Sequence, residues 1–518
     1  MSRTGMLLLS LCLLLSACAS LPENYQREES WKLDGSDSSI AALIRPDLSA
    51  HPGLSGAYPL GTGIEALAAR VVLARAAEQS LDIQYYIWHG DASGQLLLKE
   101  LLDAADRGVR IRLLLDDLGV GAENDDAFLL LEAYPHVSVR LFNPIALRDA
   151  RKAGMVADPA RVNHRMHNKS MTADNQLTVV GGRNIGDEYF SLNELVNFAD
   201  MDVLAVGPVV DQVSDSFDIF WNSPSSIPIS AFHEEPPSPD QLTRARNKLD
   251  NFVAGNTEPY YEAMKLTPFH IGIEHRDVEL YWGKMAALFD LPGKALGEET
   301  DKLLRQLVDL LGDMQKDLLI ISPYFVPGKK GTEALIAKAQ SGVRVRIFTN
   351  SLATTDVGAV HSGYKKYRRK LLEGGVEIFE LMPQTNARQA IRSKLAFSGS
   401  SGASLHAKMY VFDQQQVFIG SMNLDPRSVA INTEIGLLID SADLAHRFVS
   451  RLDKGHQASF YSLALEPKNR DKPGGSKRLV WIEAKDGEEI RYTKEPQTTS
   501  WQRFKVGFIG LFPIESQL

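Results

Sequence analysis

One eight-residue pattern occurs twice in the chain. "HNKSMTAD", His167 to Asp174, and "HAKMYVFD", His406 to Asp413, both read His-x-Lys-x-x-x-x-Asp. A single match to three common residue types means little in a chain of 518 residues. Two matches inside a longer repeat constrain the whole fold, because repeated sequence means a repeated structural unit. "SLDIQYYIW" (Ser80 to Trp88) corresponds to "DLLIISPYFV" (Asp317 to Val326), both apolar and rich in β-branched or aromatic residues, as buried strands are. "LLKELLDAADRGVRIRLLLDD" (Leu97 to Asp117) corresponds to "ALIAKAQSGVRVRIFTNS" (Ala334 to Ser351). Each is an amphipathic helix, a glycine stop at Gly108 or Gly342, and a strand opening Gly-Val-Arg. Gly342 lies 234 residues after Gly108, and both His406 after His167 and Asn423 after Asn184 are displaced by 239.

These correspondences predict an α/β fold of two pseudo-twofold-related units, residues 61–225 and 296–455. Mixed sheets flanked by helices are expected, with an active site at the interface of the units. Residues 226–295 read as a linker or insertion, because "NSPSSIPISAFHEEPPSPDQ" is rich in proline and serine. Residues 456–518 read as a C-terminal extension with a hairpin turning at Asp486-Gly487. It ends in "WQRFKVGFIGLFPIESQL", whose aromatics and few charges suit either a membrane surface or a segment docked on the core. Residues 1–17 have the basic residue, short apolar run and small residues of a secretory signal. "LSAC", Leu15 to Cys18, resembles the lipobox of bacterial lipoproteins. That resemblance implies lipid on Cys18, a tether over 18–60, and a periplasm-facing protein of a Gram-negative bacterium. Ala19 after the cysteine implies the outer membrane. Cys12 and Cys18 are the only cysteines, so cleavage at that point leaves no disulfide and no thiol nucleophile.

The doubled motif suits one site made of halves. "SLHAKMYVFD" alternates so that His406 and Lys408 share a strand face, and His167 and Lys169 do likewise. After each motif a strand ends in two small residues, Gly181-Gly182 or Gly420-Ser421, followed by Asn184 or Asn423. Asn184, Asn423 and Ser421 are the expected phosphate-binding groups, beside the two lysines. Such a set neutralises the non-bridging oxygens of a phosphodiester as charge builds. One neutral imidazole attacks phosphorus and one imidazolium protonates the leaving oxygen, work that a single histidine cannot do at once. Each imidazole needs an orienting carboxylate, and Asp202 and Glu434, each opening an apolar strand, are the candidates. There is no His-Glu-x-x-His and no cysteine beyond Cys18, so neither metal nor cofactor is expected. His361, before the basic-aromatic "GYKKYRRK", is the remaining histidine of interest. The net charge of −9 carries no signature of nucleic-acid binding.

With their Gly-Gly-x-Asn and Gly-Ser-x-Asn sequels, the paired motifs resemble the phospholipase D superfamily. Flanking blocks such as "NSLATTDVGAVHSGY", "SGSSGASLHAK" and "GSMNLDPRSVAINTEIG" resemble its C-type bacterial cardiolipin synthases. The resemblance spans about Leu60 to Leu518. It implies a metal-independent reaction through phosphohistidine, with His167 as nucleophile and His406 as general acid and base. It implies carboxylates that cross between halves, pairing His167 with Glu434 and His406 with Asp202, while Asp174 and Asp413 brace their units. The implied reaction is phosphatidyl transfer to a glycerol hydroxyl, with phosphatidylglycerol and phosphatidylethanolamine as substrates at a membrane surface. A phospholipase D-type hydrolase of phospholipids is the alternative, and a nucleic-acid phosphodiesterase fits less well.

Overall fold

The apolar runs quoted above form the middle of a sheet in each half of the chain. The structure is a computed structural model that describes residues 21–518 apart from 24, 122–123, 149, 193–196, 234, 299–301, 384–402 and 469–475. The expected signal segment, Cys18 and Ala19 lie outside the described residues. The first half contains β1 (Ser55–Leu60), β2 (Ser80–Tyr85), β3 (Arg110–Asp116), β4 (Val137–Phe142), β5 (Ser170–Ala173), β6 (Leu177–Gly181), β7 (Asn197–Ala199), β8 (Asp202–Val206) and β9 (Ser226–Pro228). The second contains β10 (Tyr281–Phe289), β11 (Asp317–Ile321), β12 (Arg344–Asn350), β13 (Glu377–Leu381), β14 (Ala403–Leu405), β15 (Lys408–Phe412), β16 (Gln416–Gly420) and β17 (Ile435–Asp440). β18 (Phe460–Pro467), β19 (Lys477–Lys485) and β20 (Glu488–Tyr492) come last.

The sheet order β4-β3-β2-β5-β6-β8-β1 in the first half is repeated as β13-β12-β11-β15-β16-β17-β10 in the second. In both, the first three strands are parallel and the rest antiparallel. β1 and β10 pair with each other and join the two halves. The helices that cover the sheet obey local rules. Thr62 caps Gly63–Ala76 and Asp91 caps Ala92–Asp106 through their side chains. Gly108 and Gly342 follow the helices at φ +87° and +98°, which only glycine adopts without strain. The second arginine of each Gly-Val-Arg-x-Arg stretch is buried and ties sheet to helix. Arg112 contacts Asp82 and Asp218, both at 2.7 Å; Arg346 contacts Asp317 at 2.8 Å and Asp453 at 2.6 Å.

The starts of the two units and the extent of the tether are corrected. The units begin at Ser55 and Tyr281, not at 61 and 296, because β1 and β10 are the outer partners of β8 and β17. Neither has a strong strand signal: β1 contains Pro59, and β10 is only half-buried. Much of 18–60 is no tether. Arg112 and Arg110 hold the carbonyls of Ser30 and Trp31 at 2.7 Å, and Ser39–Ala50 is a capped helix with Ile40, Ala41 and Ile44 buried. Residues 226–295, expected as a linker or insertion, form a structured insertion in which Pro239–Asn256 and two shorter helices pack on the first unit before β10 begins. In the extension, β18 pairs with β13, and β19 and β20 turn at Asp486-Gly487 with positive φ at both residues.

Candidate active site

The aspartate of each motif explains the spacing. Asp174-Asn175 and Asp413-Gln414 have positive φ at both residues, as a type I′ turn requires, and join β5 to β6 and β15 to β16. From that corner Asp174 accepts the backbone N–H groups of Glu78, Gln79 and Ser80. Asp413 does the same for Gln315, Lys316 and Asp317. Both therefore pin the start of a central strand, β2 or β11, at the far end of β5 or β15 from the histidine. They take no part in a site built around the imidazoles.

Each histidine precedes its strand and is held by the opposite half. Met166 bridges Thr433, His167 donates its N–H to the Thr433 carbonyl at 2.9 Å, and Thr433 donates to Arg165 at 3.0 Å. On the other side β14 runs parallel to β7, and His406 donates to the Ala199 carbonyl at 2.8 Å. Thr433 precedes Glu434 and Ala199 precedes Asp200, so each histidine is carried up to a carboxylate of the other unit. His167 Nδ1 lies 2.9 Å from Glu434 Oε2, and His406 Nδ1 lies 2.5 Å from Asp200 Oδ2. Nδ1 is thereby committed, leaving Nε2 of each ring for chemistry.

The partner of His406 is Asp200 and not the expected Asp202. Asp202 is fully buried between Arg70, at 2.9 Å, and Arg183, at 3.5 Å, and braces the first unit. The reason is register. β8 puts Asp202 opposite Gly181, and β17 puts Gly436 opposite Gly420, so Glu434 corresponds to Asp200, two residues earlier. Ser421 is also reassigned. Its hydroxyl donates to Glu434 Oε2 at 2.5 Å and accepts from Ile435 N at 3.0 Å, so it orients the carboxylate instead of meeting phosphate. The corresponding Gly182 leaves room for Asp200: a Cβ there would lie 2.3 Å from Asp200 Oδ1. Asn184 accepts from Ile87 N at 3.1 Å and donates to the Tyr189 hydroxyl at 2.9 Å. Asn423 is buried with its Oδ1 unpartnered among the described residues. Sequence reasoning also missed the ring walls. Tyr86 stands edge-on to His167 at 5.3 Å, and Tyr189 and Phe198 lie 5.4 and 4.9 Å from His406.

Lys169 Nζ donates to the His167 carbonyl at 2.6 Å, and Lys408 Nζ to that of His406. Lys408 Nζ also lies 2.9 Å from His406 Nδ1. A ring nitrogen that donates to Asp200 cannot accept from lysine, and the buried carboxylate has the stronger claim. Burial lowers both ammonium groups, Lys169 to about 7 and Lys408 to about 8, although Glu434 and Asp200 act on each and pull the other way. Burial lowers His167 to about 4 despite Glu434. It lowers His406 too, with Lys408 adding to the effect and Asp200 opposing it. For the two carboxylates, burial is outweighed by the facing cations, so Asp200 and Glu434 stay ionised.

These directions fix a pH profile. kcat/KM on a soluble phosphodiester needs His167 neutral, His406 protonated and the lysines charged. It should fall as pH drops through about 4. It should fall again as pH rises, first through the depressed range of His406 and then through about 7 to 8 as Lys169 and Lys408 lose charge. The optimum therefore lies on the acid side of neutrality. A nitrophenyl ester, which needs no acid, should move the alkaline limb up to the lysines. A kcat/KM unchanged between pH 5 and pH 10 would contradict this assignment.

His361 is elsewhere. It is buried against Glu495 at 3.1 Å, and Arg368 reaches the same carboxylate at 2.8 Å, so this cluster fastens the C-terminal extension. His89, Asp91 and Glu188 bring ligand atoms within 4.8 Å of one another. Asp91 is occupied there as a helix cap and as acceptor from Asp187 N.

Known proteins are similar to this chain over most of its length. A family model described as cardiolipin synthase, phospholipase D-like domain, matches residues 72–221 and 307–454, once in each half. The cardiolipin synthase C of Escherichia coli (strain K12) is 41% identical over 92% of this chain and 99% of its own. An uncharacterized protein of Helicobacter pylori is 33% identical over 90% of each chain. The crystal structure of phosphatidylserine synthase from Haemophilus influenzae Rd KW20 shares the fold, with a TM-score of 0.53 at 15% identity over 81% of this chain and 91% of that one.

Proposed function

The chain belongs to the phospholipase D-like cardiolipin synthase family, and we propose that it transfers a phosphatidyl group through a phosphohistidine to make cardiolipin. The observation that carries the mechanism is the crossed pairing of two imidazoles with carboxylates of the opposite unit, beside two buried lysines. His167 Nε2 attacks the phosphorus of phosphatidylglycerol or phosphatidylethanolamine. His406, held by Asp200, gives its proton to the departing alcohol oxygen. The lysines neutralise the non-bridging oxygens as the pentacoordinate state forms. His406, now neutral, takes a proton from the glycerol hydroxyl of a second phosphatidylglycerol as that oxygen displaces His167. The phosphorus–nitrogen bond breaks and cardiolipin leaves. The asymmetry of the pairs supports this division. Burial lowers both imidazoles, taking His167 to about 4 and so keeping the nucleophile neutral, while His406 has the closer carboxylate, Asp200, to oppose that shift and favour its protonated form.

The substrates imply work at a membrane, and the lipobox-like "LSAC" supports a lipid anchor on Cys18 in the periplasmic face of an outer membrane. Cys18→Ser should leave the protein unprocessed or released from membranes, read by the mass of its N-terminal peptide. A mature N-terminus other than Cys18 refutes the anchor. The reaction itself is tested by incubating purified protein with radiolabelled phosphatidylglycerol, with and without phosphatidylethanolamine, in excess chelator. Labelled cardiolipin is the expected product. Phosphatidic acid alone would mean that water is the acceptor and the protein a hydrolase.

A further inference from the structure

Residues 499–518 form a bolted-down platform with an uncovered apolar face. The helix Ser500–Ile509 starts in a capping box of Thr499 and Gln502. It packs on the helix Gly358–Tyr364 through its buried side chain, Val506. On its outer side Trp501, Phe504 and Phe508 are 69, 61 and 52% exposed, and Leu511 and Phe512 continue the face. The spacing 501, 504 and 508 is one helical stripe, Phe512 follows just past the helix end, and consecutive rings from Trp501 to Phe512 sit 5.5, 6.4 and 5.2 Å apart. Beyond the stripe, the last residues of the chain are tied across the seam of the two units. Glu515 holds Lys366 at 3.1 Å, and Gln517 Oε1 accepts from Asn163 at 2.8 Å. Asn163 in turn accepts from Arg427 at 2.9 Å. Asn163 stands four residues before His167, and Arg427 four after Asn423. The stripe is thus fixed to the segments that carry the catalytic groups.

We propose that this aromatic face seats in the headgroup–acyl boundary of an anionic bilayer and holds the seam against the lipids it processes, an inference that rests on the lipid-transfer reading. Charge favours a bilayer. On a chain of net charge −9, the exposed cations Lys505, Lys365 and Lys494 lie on the stripe's own helix, at the end of the helix beneath it and in the segment leading to it. Aromatic rings on one face with basic residues beside them, here Arg503 and Lys505 on either side of Phe504, are the composition of helices that lie in that boundary. A face of five side chains is small for a stable protein interface, which buries about 800 Å² per partner. A helix buried about 5–10 Å into the boundary also works at the depth of a lipid phosphate.

The test uses the full chain with vesicles of phosphatidylglycerol and phosphatidylethanolamine carrying brominated acyl chains. Part of the tryptophan fluorescence should be quenched, and that part should vanish in Trp501→Phe. The triple variant Trp501→Ser, Phe504→Ser, Phe508→Ser should lose vesicle turnover by about 100-fold while keeping turnover of a short-chain soluble lipid. The substituted side chains are exposed, so thermal unfolding should not move. Equal quenching in Trp501→Phe overturns the proposal, as does undiminished vesicle turnover in the triple variant. A shift from dimer to monomer without loss of vesicle turnover would also overturn it, and would make the face a contact between copies. Quenching at Trp501 with no turnover of any lipid would sink the lipid-transfer reading and leave the docking standing.

Discussion

His167→Ala should form no covalent phosphatidyl-enzyme and should lose transfer by roughly 10⁴-fold or more, because the group that accepts the phosphatidyl is gone. His406→Ala should be nearly as inactive on natural lipids, by about 10²–10⁴-fold, since an alkoxide leaves poorly without a proton. The two variants part on a nitrophenyl phosphodiester. That leaving group departs unaided, so His406→Ala should release nitrophenol in a burst and then stall as the phosphohistidine, with no base left to activate the acceptor. His167→Ala should release none. The readout is acid-labile, base-stable label from radioactive lipid, located by peptide mapping after rapid quench. Label on His406 in His167→Ala protein would reverse the roles. Glu434 gives a check on the same logic: it contacts His167 and no other imidazole among the described residues, so Glu434→Gln should suppress formation of the label more than its decay.

The repeat made most of this legible. Buried strands announce themselves by apolar runs, and β2, β3, β11 and β12 are where periodicity puts them. The glycine stops before β3 and β12 need positive φ, which sequence shows directly. Two-fold reasoning also put the histidines and lysines in one place, because a half-site repeated is half a chemistry. The failures have separate causes, and the first is register. Asp200 and Asp202 both flank an apolar strand, and composition alone does not say which of them faces inward. Only the pairing of Gly181 with Asp202 and of Gly420 with Gly436 fixes the phase, although setting "ADMDVL" against "TEIGLL" would have shown it. β1 and β10 escape for another reason. Both have neighbours on two sides, so hydrogen bonding to the sheet secures strands interrupted by weak strand formers, Gly56 and Pro59 in β1 and Gly283, Lys284 and two alanines in β10. Likewise Asp290 holds the backbone of Glu434, accepting its N–H at 3.2 Å and donating to its carbonyl at 3.0 Å, from a region without any recognisable pattern.

The register of those two aspartates leads to the second large effect. Asp200→Asn keeps the shape but presents an amide to His406 Nδ1, and an amide neither stabilises the imidazolium nor holds one tautomer. Loss of about 10³–10⁴-fold in kcat is expected, with little change in melting temperature. Asp202→Asn should do the opposite. Its carboxylate sits between two buried guanidinium groups, Arg70 and Arg183, and removing the charge leaves them uncompensated. The cost to stability is about 3–5 kcal/mol, while kcat per folded molecule stays within a few-fold of the parent. Substrate separates the two further. On the nitrophenyl ester Asp200→Asn should recover much of its loss in the burst phase, because His406 no longer has to act as an acid there. No such recovery is expected in the steady state, where His406 must still activate the acceptor. If Asp202→Asn proved catalytically dead yet stable, and Asp200→Asn active, the carboxylate facing His406 in the working enzyme would be Asp202. β8 would then have to slip by two residues against β6, breaking the Arg70 and Arg183 pairs as it moved.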